Sequence, residues 1–587
     1  MRKGLAVSPG VAVGTAYCIH EIFVQPDKKR LADSEVSAEL ARYESARDKT
    51  AQDLRALQIK LEAQVSRESA AIFAVHESIL RDSAFTNKIR GWIVDDRLTA
   101  PAALQRLLHE YTQIFERTAD DYLKERLNDV RDVVVRLSTH MSDILKPGSS
   151  AIPGPLIVVA GELLPSQVVA MGDIDVRGIV TQAGGPTSHA AIIARSRGIP
   201  AVSGVPNILQ GVTTGDRIVV DGRNGVVLVN PDPEQLRAYL KLEREFVDLK
   251  GHLAENRDKP ALTSDGHPLH LLANINGVAD TKAAAAMGAE GVGLYRTEYL
   301  FLTHPDVPDE DEQYTNYRDI IAACPQHLVT IRTLDIGGDK TVPYLGHNVR
   351  EANPFMGWRS IRLSFEHPEL LLTQLRAILR AGAEAKALGG RVQILFPMIT
   401  TVDEMRLVRS MVGKACRQLR QEGKPFARVP LGMMIEVPAA AIAIDAMLEE
   451  VDFVSIGSND LVQYLMAADR DNPKVSHLCQ PLAPAVLRVL TRVIHHCRKA
   501  RKPVTLCGEM AGQPRAFVLL VGMGLVNFSM SPALLPTIKD LASHFTILEA
   551  RQILKHALSL KTTDEVKTFM AEQLQRLAPD LAILDTA

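Results

Sequence analysis

Residues 184–202 read GGPTSHAAIIARSRGIPAV, and the types and order of these residues are suited to chemistry on an anion. Gly184 and Gly185 permit a sharp backbone turn, and Thr187 and Ser188 can cap the helix that the following residues predict. Exposed N–H groups at that helix start would stabilise a negative charge carried on the ring of His189. A neutral imidazole is also a competent nucleophile near neutral pH. An isolated histidine is ordinarily a surface residue or a satisfied core residue, but phosphorylation of His189 is the reading that uses every residue of the motif. A metal-ligand role is disfavoured, because Ala190 to Ile193 fill the helical face where a second ligand would stand, and Gly198-Ile199-Pro200 ends the helix.

A second set of reactive residues follows strand-like runs further along the chain. Arg296 follows GVGLY, Arg332 and Asp335 lie in IRTLD, Glu436 ends LGMMIE, and Asn459 and Asp460 end SIGSND. Cys507 and Glu509 lie in TLCGE, Arg359 and Arg362 form a positive pair in NPFMGWRSIR, and Arg470 follows in AADR. Arginine's planar fork binds phosphate and carboxylate bidentately, while Mg²⁺ takes a couple of carboxylates together with substrate oxygens and water. Together these residues predict a phosphorylated, carboxylated ligand and a divalent cation. Taken singly, each arginine or carboxylate reads as a salt bridge or turn cap, and Cys507 as a small buried hydrophobe. Joint occurrence after several strands of one barrel favours a site, since a barrel has no structural need for stacked arginines at its top.

The elements that must position these groups are legible as texture. LHLLANI, GVGLYRT, LVTIRTLD, VQILFPMI, LGMMIE, FVSIGSND, PVTLCGE and VNFSMSP are eight strand-like runs alternating with helical stretches over about 320 residues, which predicts a TIM (β/α)8 barrel over 261–587. Such a barrel places its chemistry at the C-terminal ends of its strands. Upstream, Leu31 to Arg90 and Ala102 to Lys146 contain neither Gly nor Pro, Val36, Leu40, Tyr43, Leu54, Leu57 and Leu61 fit one helical face, and Thr99-Ala100-Pro101 reads as a helix start. Residues 31–147 are therefore an all-helical block. LIVVA, GIVT, RIVVD and GVVLV, with VAVGTAYCI near the N-terminus, predict a discontinuous α/β domain of residues 1–30 and 148–230 into which the block is inserted. Residues 231–260 read as a helical linker, and His76 as an ordinary surface histidine.

Bulk properties narrow the function classes. At 587 residues the chain exceeds one core and is consistent with about four domains. Lys plus Arg (67) nearly balance Asp plus Glu (69), so no global field points to nucleic acid or an anionic membrane. Ser8-Pro9-Gly10 interrupts any signal-like run, and the longest apolar stretch, Ala516 to Val526, is far too short to span a bilayer. Six scattered cysteines without a CxxC pair argue for reduced thiols, and the expected compartment is the cytoplasm.

SPGVAVG, DYLKERLNDVRD, the GG-x-TSH turn, GAEGVGLYRTEYLF, IRTLDIGGDK, NPFMGWRSIR, IGSNDLVQY and LCGEMAG, in this order, resemble enzyme I of the bacterial phosphoenolpyruvate-dependent sugar phosphotransferase system. The resemblance spans essentially the whole chain. It implies autophosphorylation of His189 from phosphoenolpyruvate, release of pyruvate, and transfer to a histidine of the phosphocarrier protein HPr, docked on the helical insertion. Carried over residue by residue, it makes Arg296 and Arg332 the clamp on the substrate phosphate, Glu436 and Asp460 the Mg²⁺ ligands, Asn459 and Arg470 substrate holders, and Cys507 the acid that protonates the enolate. Arg359 adds to the anion site, and the barrel is expected to support a homodimer. Pro186 stands where the family commonly has Arg, supplying neither a guanidinium nor an N–H, and Ser458 stands where Thr is usual. The alternatives are pyruvate phosphate dikinase or phosphoenolpyruvate synthase using a separate nucleotide partner, a non-catalytic sensor of phosphoenolpyruvate, and a barrel lyase or aldolase.

Overall fold

The computed structural model describes residues 1–8, 10–19, 30–64, 67–116, 121–141, 154–163, 176–183, 194, 198–302, 306–337, 351, 353–470, 472 and 474–582. The chain divides into two compact units, residues 1–248 and 249–585. The glycine turn, Pro186 and His189 lie outside the described residues.

The first unit holds eight strands: β1 (Arg2–Lys3), β2 (Leu5–Ser8), β3 (Val11–Ile19), β4 (Leu156–Ala160), β5 (Val176–Thr181), β6 (Ala201–Ser203), β7 (Arg217–Asp221) and β8 (Val226–Val229). They form one mixed sheet in the order β1-β8-β7-β3-β4-β5-β6-β2. The β-branched runs are apolar at consecutive positions because both faces are covered: Ala16, Ile157, Val159 and Val180 pack on one side, Val158, Ala160 and Ile179 on the other. β3 pairs in parallel with β4 and antiparallel with β7, so segments on either side of the helices share one sheet.

Between β3 and β4 run α1 (Asp33–Gln64), α2 (Arg67–Arg81), α3 (Ser83–Val94), α4 (Ala100–Glu116) and α5 (Asp121–Met141). Tyr43, Leu54, Phe73, Phe85, Ile89, Leu104, Val133 and Leu137 make their shared core. α4 begins at Ala100 with Pro101 in its first turn, where a missing N–H is harmless. His76 departs from the surface position expected for it. It is fully buried on α2, its Nε2 lies 3.2 Å from Asp129 of α5, and its ring meets Phe73 edge-on at 5.9 Å. A polar ring can be buried here because α5 brings Asp129 to its nitrogen. α6 (Pro233–Glu255) follows the sheet as a single helix.

In the second unit β9 (His270–Ile275), β10 (Val292–Arg296), β11 (Leu328–Arg332), β12 (Arg391–Phe396), β13 (Leu431–Ile435), β14 (Phe453–Ile456), β15 (Val504–Leu506) and β16 (Asn527–Met530) close into a barrel, every neighbouring pair parallel. The eight strand-like runs are these eight strands. The apolar stretch from Ala516 lies largely in the buried helix Pro514–Gly522, where the Phe517 ring packs, tilted, against Phe528 of β16 at 4.7 Å. Several outer helices are started by residues recognisable in the sequence. Asp309, Thr401, Thr546 and Thr562 each cap a helix whose third residue, a glutamate, reaches back to the cap's own N–H.

Candidate active site

Arg332 ends β11 and is almost wholly buried. Its Nη2 lies 2.7 Å from Glu298 and its Nη1 3.1 Å from Asp335. Arg359, equally buried, lies 3.1 Å from Asp335 and 3.4 Å from Asp460, and Arg470 lies 3.0 Å from the other oxygen of Asp460. Burial alone would lower both buried guanidinium pKa values, but the carboxylates around them push them above the ordinary arginine range, so both stay charged. Arg296 ends β10, half-buried, in register with Arg332 on the neighbouring strand and without a side-chain partner among the described residues.

Glu436 stands immediately after β13, 1% exposed, and accepts the Met398 N–H at 2.5 Å. Burial, followed by the negative charges of Asp460 and Asp335, pushes its carboxyl up to about 8, against the pull of Arg332 and Arg359. Among the described residues no group of three or more His, Cys, Asp or Glu side chains is arranged to hold a metal ion. Two mutually repelling carboxylates fit a hard cation that takes its remaining ligands from substrate and water.

Cys507 follows β15 with 2% exposure. Its Sγ accepts a hydrogen bond from the Ser455 hydroxyl at 3.2 Å, and its thiol faces the Ile456 carbonyl at 3.5 Å. Burial pushes the thiol pKa upward, so the group is held as a protonated donor. Asn459, at the start of the helix Ser458–Met466, accepts the Glu509 N–H at 2.9 Å and thereby ties the loop after β14 to the loop after β15. Gly508 allows this approach, because a Cβ there would lie 1.8 Å from the Ser458 hydroxyl.

Arg332, Arg359, Glu436, Asn459, Asp460, Arg470 and Cys507 thus gather through direct contacts, shared partners and strand-end position at the C-terminal face of the barrel. Arg362, paired with Arg359 in the sequence reading, turns away to the carbonyls of Met356 and Gly357 at 2.8 and 3.1 Å. The left-handed Ser360, φ 59°, separates the two arginines and starts a new helix at Ile361. Gly337 lets the loop after β11 pass this turn, since at its φ of 110° a Cβ would sit 2.5 Å from that of Arg359.

The sequence reading missed Glu298, the fully buried partner of Arg332. It also missed Gln374, which accepts the Leu334 N–H at 2.9 Å and donates to Thr297 at 3.2 Å. Their signal is weak: a glutamate opening a short helix and a glutamine on an otherwise apolar helical face.

The C-terminal face is where barrels of this type carry their chemistry. A mouth dominated by buried guanidinium groups places the protein among barrel enzymes acting on small anions. Residues 250–547 match the PEP-binding domain of PEP-utilising enzymes, residues 152–225 their mobile domain and residues 3–126 their N-terminal domain. The phosphoenolpyruvate-protein phosphotransferase of Bacillus sp. (strain S) is 40% identical over 97% of both chains. That of Haemophilus influenzae is 37% identical over 98% of this chain and 99% of its own, and that of Bacillus subtilis 38% identical over 97% and 99%. The chain belongs to the family of phosphoenolpyruvate-protein phosphotransferases and is an enzyme.

Proposed function

We propose that the chain transfers the phosphoryl group of phosphoenolpyruvate to His189 and from there to a histidine of the phosphocarrier protein HPr, releasing pyruvate. One observation carries the reading: buried arginines, two carboxylates and a thiol meet at one barrel mouth in a chain whose relatives are named phosphoenolpyruvate-protein phosphotransferases. Phosphoryl transfer asks for positioning and charge neutralisation more than covalent help.

In this reading Arg296 and Arg332 grip the phosphate, while Arg359, Asn459 and Arg470 hold the rest of the substrate. Glu436 and Asp460 would hold Mg²⁺, which when bound neutralises charge on the substrate oxygens. The neutral His189 ring attacks phosphorus. A P–N bond forms as the P–O bond to the enol breaks, and the enolate pair then takes the Cys507 proton at C3 to give the pyruvate methyl.

His189 belongs to the segment matched to a mobile domain. Its travel to the barrel, with hinges near residue 147 and in 231–260, would exclude water from the transfer. The assignment of 1–30 and 148–230 to the swivelling domain, 31–147 to HPr docking, 231–260 to the linker and 261–587 to the substrate barrel belongs to the same proposal. So do a homodimer formed through the barrel and a cytoplasmic location. Among the described residues no helix is long and apolar enough to cross a membrane.

A nucleotide-dependent dikinase or synthase is not favoured, because the matched relatives are named protein phosphotransferases over nearly their full length. The test is incubation with radiolabelled phosphoenolpyruvate, Mg²⁺ and HPr. Label should appear on His189 and then on HPr, and His189→Ala should carry none. Unmodified His189 by mass spectrometry while pyruvate accumulates would overturn the reading.

A further inference from the structure

Cys507 belongs to a buried cluster with Leu294, Leu395, Met434 and Phe453 in the barrel interior. Burial among apolar side chains disfavours the thiolate that proton donation leaves behind, so that charge needs stabilisation close by. Three polar side chains from three other strands reach into this cluster. Ser455 of β14 donates its hydroxyl to Sγ at 3.2 Å. Asn274 of β9 donates its Nδ2 to the Cys507 carbonyl at 2.8 Å, and Ser529 of β16 donates to the Asn274 Oδ1 at 2.6 Å. Ser455 and Ser529 are 1% and 0% exposed. The fit is close: a Cβ on Gly293 would stand 2.4 Å from the Ser529 hydroxyl. Serines and an asparagine are costly inside a barrel, and here their bonds converge on one residue.

We propose that Ser455, Asn274 and Ser529 are positioning residues for the Cys507 thiol. Asn274, held by Ser529, fixes the peptide that carries the sulfur, and the Ser455 hydroxyl stabilises the charge left on sulfur. This rests on the reading of Cys507 as the acid for the enolate. In that step the S–H bond breaks, its electron pair stays on sulfur, and the enolate pair forms the new C–H bond at C3. A solvent proton then restores the thiol. A donated hydrogen bond to a thiolate strengthens as charge develops, which is the moment it is needed. Other charges facing the thiol are Arg332 and Arg296, which favour the thiolate, and Glu436, which opposes it.

The reverse proton transfer isolates this step. The full chain, in D₂O with phosphoenolpyruvate, pyruvate and Mg²⁺, is followed by NMR for loss of methyl protons from pyruvate. Because the thiolate is the base in this direction, exchange rises with pH through the thiol pKa. Ser455→Ala should cut exchange about tenfold, shift the rising limb to higher pH, and leave KM for phosphoenolpyruvate unchanged; Ser455→Thr should restore both rate and limb. Asn274→Leu should lower the rate without moving the limb. A folded Ser455→Ala with the wild-type rate and limb overturns the proposal, and wild-type exchange in Asn274→Leu removes the Asn274 and Ser529 part. If Ser455→Ala does not fold, Ser455→Cys, a weaker donor, takes its place, and a wild-type rate there is equally fatal. Cys507→Ala that still exchanges would instead overturn the reading beneath the proposal.

Discussion

Among the described residues of the second unit, two arginine–carboxylate clusters are built on buried arginines, and only one of them looks like a site. On the outside, Glu310 is shared by Arg376 and Arg380 at 2.6 Å each and by Lys424 at 3.1 Å, while Glu422 takes the far side of Arg376. At the mouth, Arg332 and Arg359 share Asp335. The residue types are the same, but the completeness of pairing is not. Among the described residues the outer cluster has no buried side-chain polar atom without a partner, whereas the mouth leaves Arg332 Nε, Arg359 Nε, Glu298 Oε2 and the hydroxyls of Thr333, Ser360 and Ser458 unbonded. Carboxylates follow suit: hydrogen bonds from Arg376 pull Glu422 down to about 2, while burial pushes Glu436 up to about 8. The outer network is saturated, whereas the mouth keeps buried polar atoms that a ligand can satisfy.

The contrast is broken most severely at its centre. Arg332→Leu leaves the fully buried Glu298 without its guanidinium, which should cost about 3–5 kcal/mol, read as a lowered midpoint in urea unfolding; phosphoenolpyruvate-dependent labelling of His189 should vanish even in the fraction that folds. Cys507→Ala touches no ion pair. It should leave the unfolding midpoint within about 1–2 kcal/mol of wild type, yet slow pyruvate formation about 10²–10⁴-fold, measured in single-turnover experiments. Loss of stability together with activity in this variant would mean that the thiol is packing rather than chemistry.

How far this contrast could be read beforehand depends on the reach of each signal. The barrel was legible because strands buried on both faces are mostly apolar runs, and their change to Arg, Glu, Asn-Asp or Cys-Gly marks both the strand end and the site. Glu298, Gln374, Asn274, Ser455 and Ser529 were not, because a single polar residue acquires meaning only through a partner on another strand or helix. His76 looked like a surface residue because Asp129, more than fifty positions away, is brought to it only by the packing of α2 against α5. Arg359 and Arg362 read as a positive pair, but the turn at Ser360 between them sends Arg359 to Asp335 and Arg362 to the Met356 carbonyl.

The outer cluster should answer to the same treatment with smaller changes. Arg376→Ala removes bonds to Glu310 and Glu422, both of which keep Lys424. It should cost about 1–3 kcal/mol, with phosphotransfer per folded molecule unchanged; a lost activity would mean that the cluster belongs to the site after all.

The smallest effect is a pH dependence. Hydrogen bonding to Arg376 is the main reason the folded Glu422 carboxyl lies near 2, below its ordinary value of 4.5. A depressed carboxyl stabilises the fold above the unfolded pKa and loses that contribution as pH falls through the folded one. The melting temperature should therefore decline between pH 4.5 and 2, and Glu422→Gln should flatten part of that decline while lying slightly below wild type at neutral pH. Because Glu422 is exposed, solvent and salt screen the pair, so the difference between the two curves should shrink further in high salt. A Gln variant that tracks wild type throughout the acid range, at low and high salt alike, would show that this pair contributes nothing and that Glu310, more deeply placed, holds the outer cluster together alone.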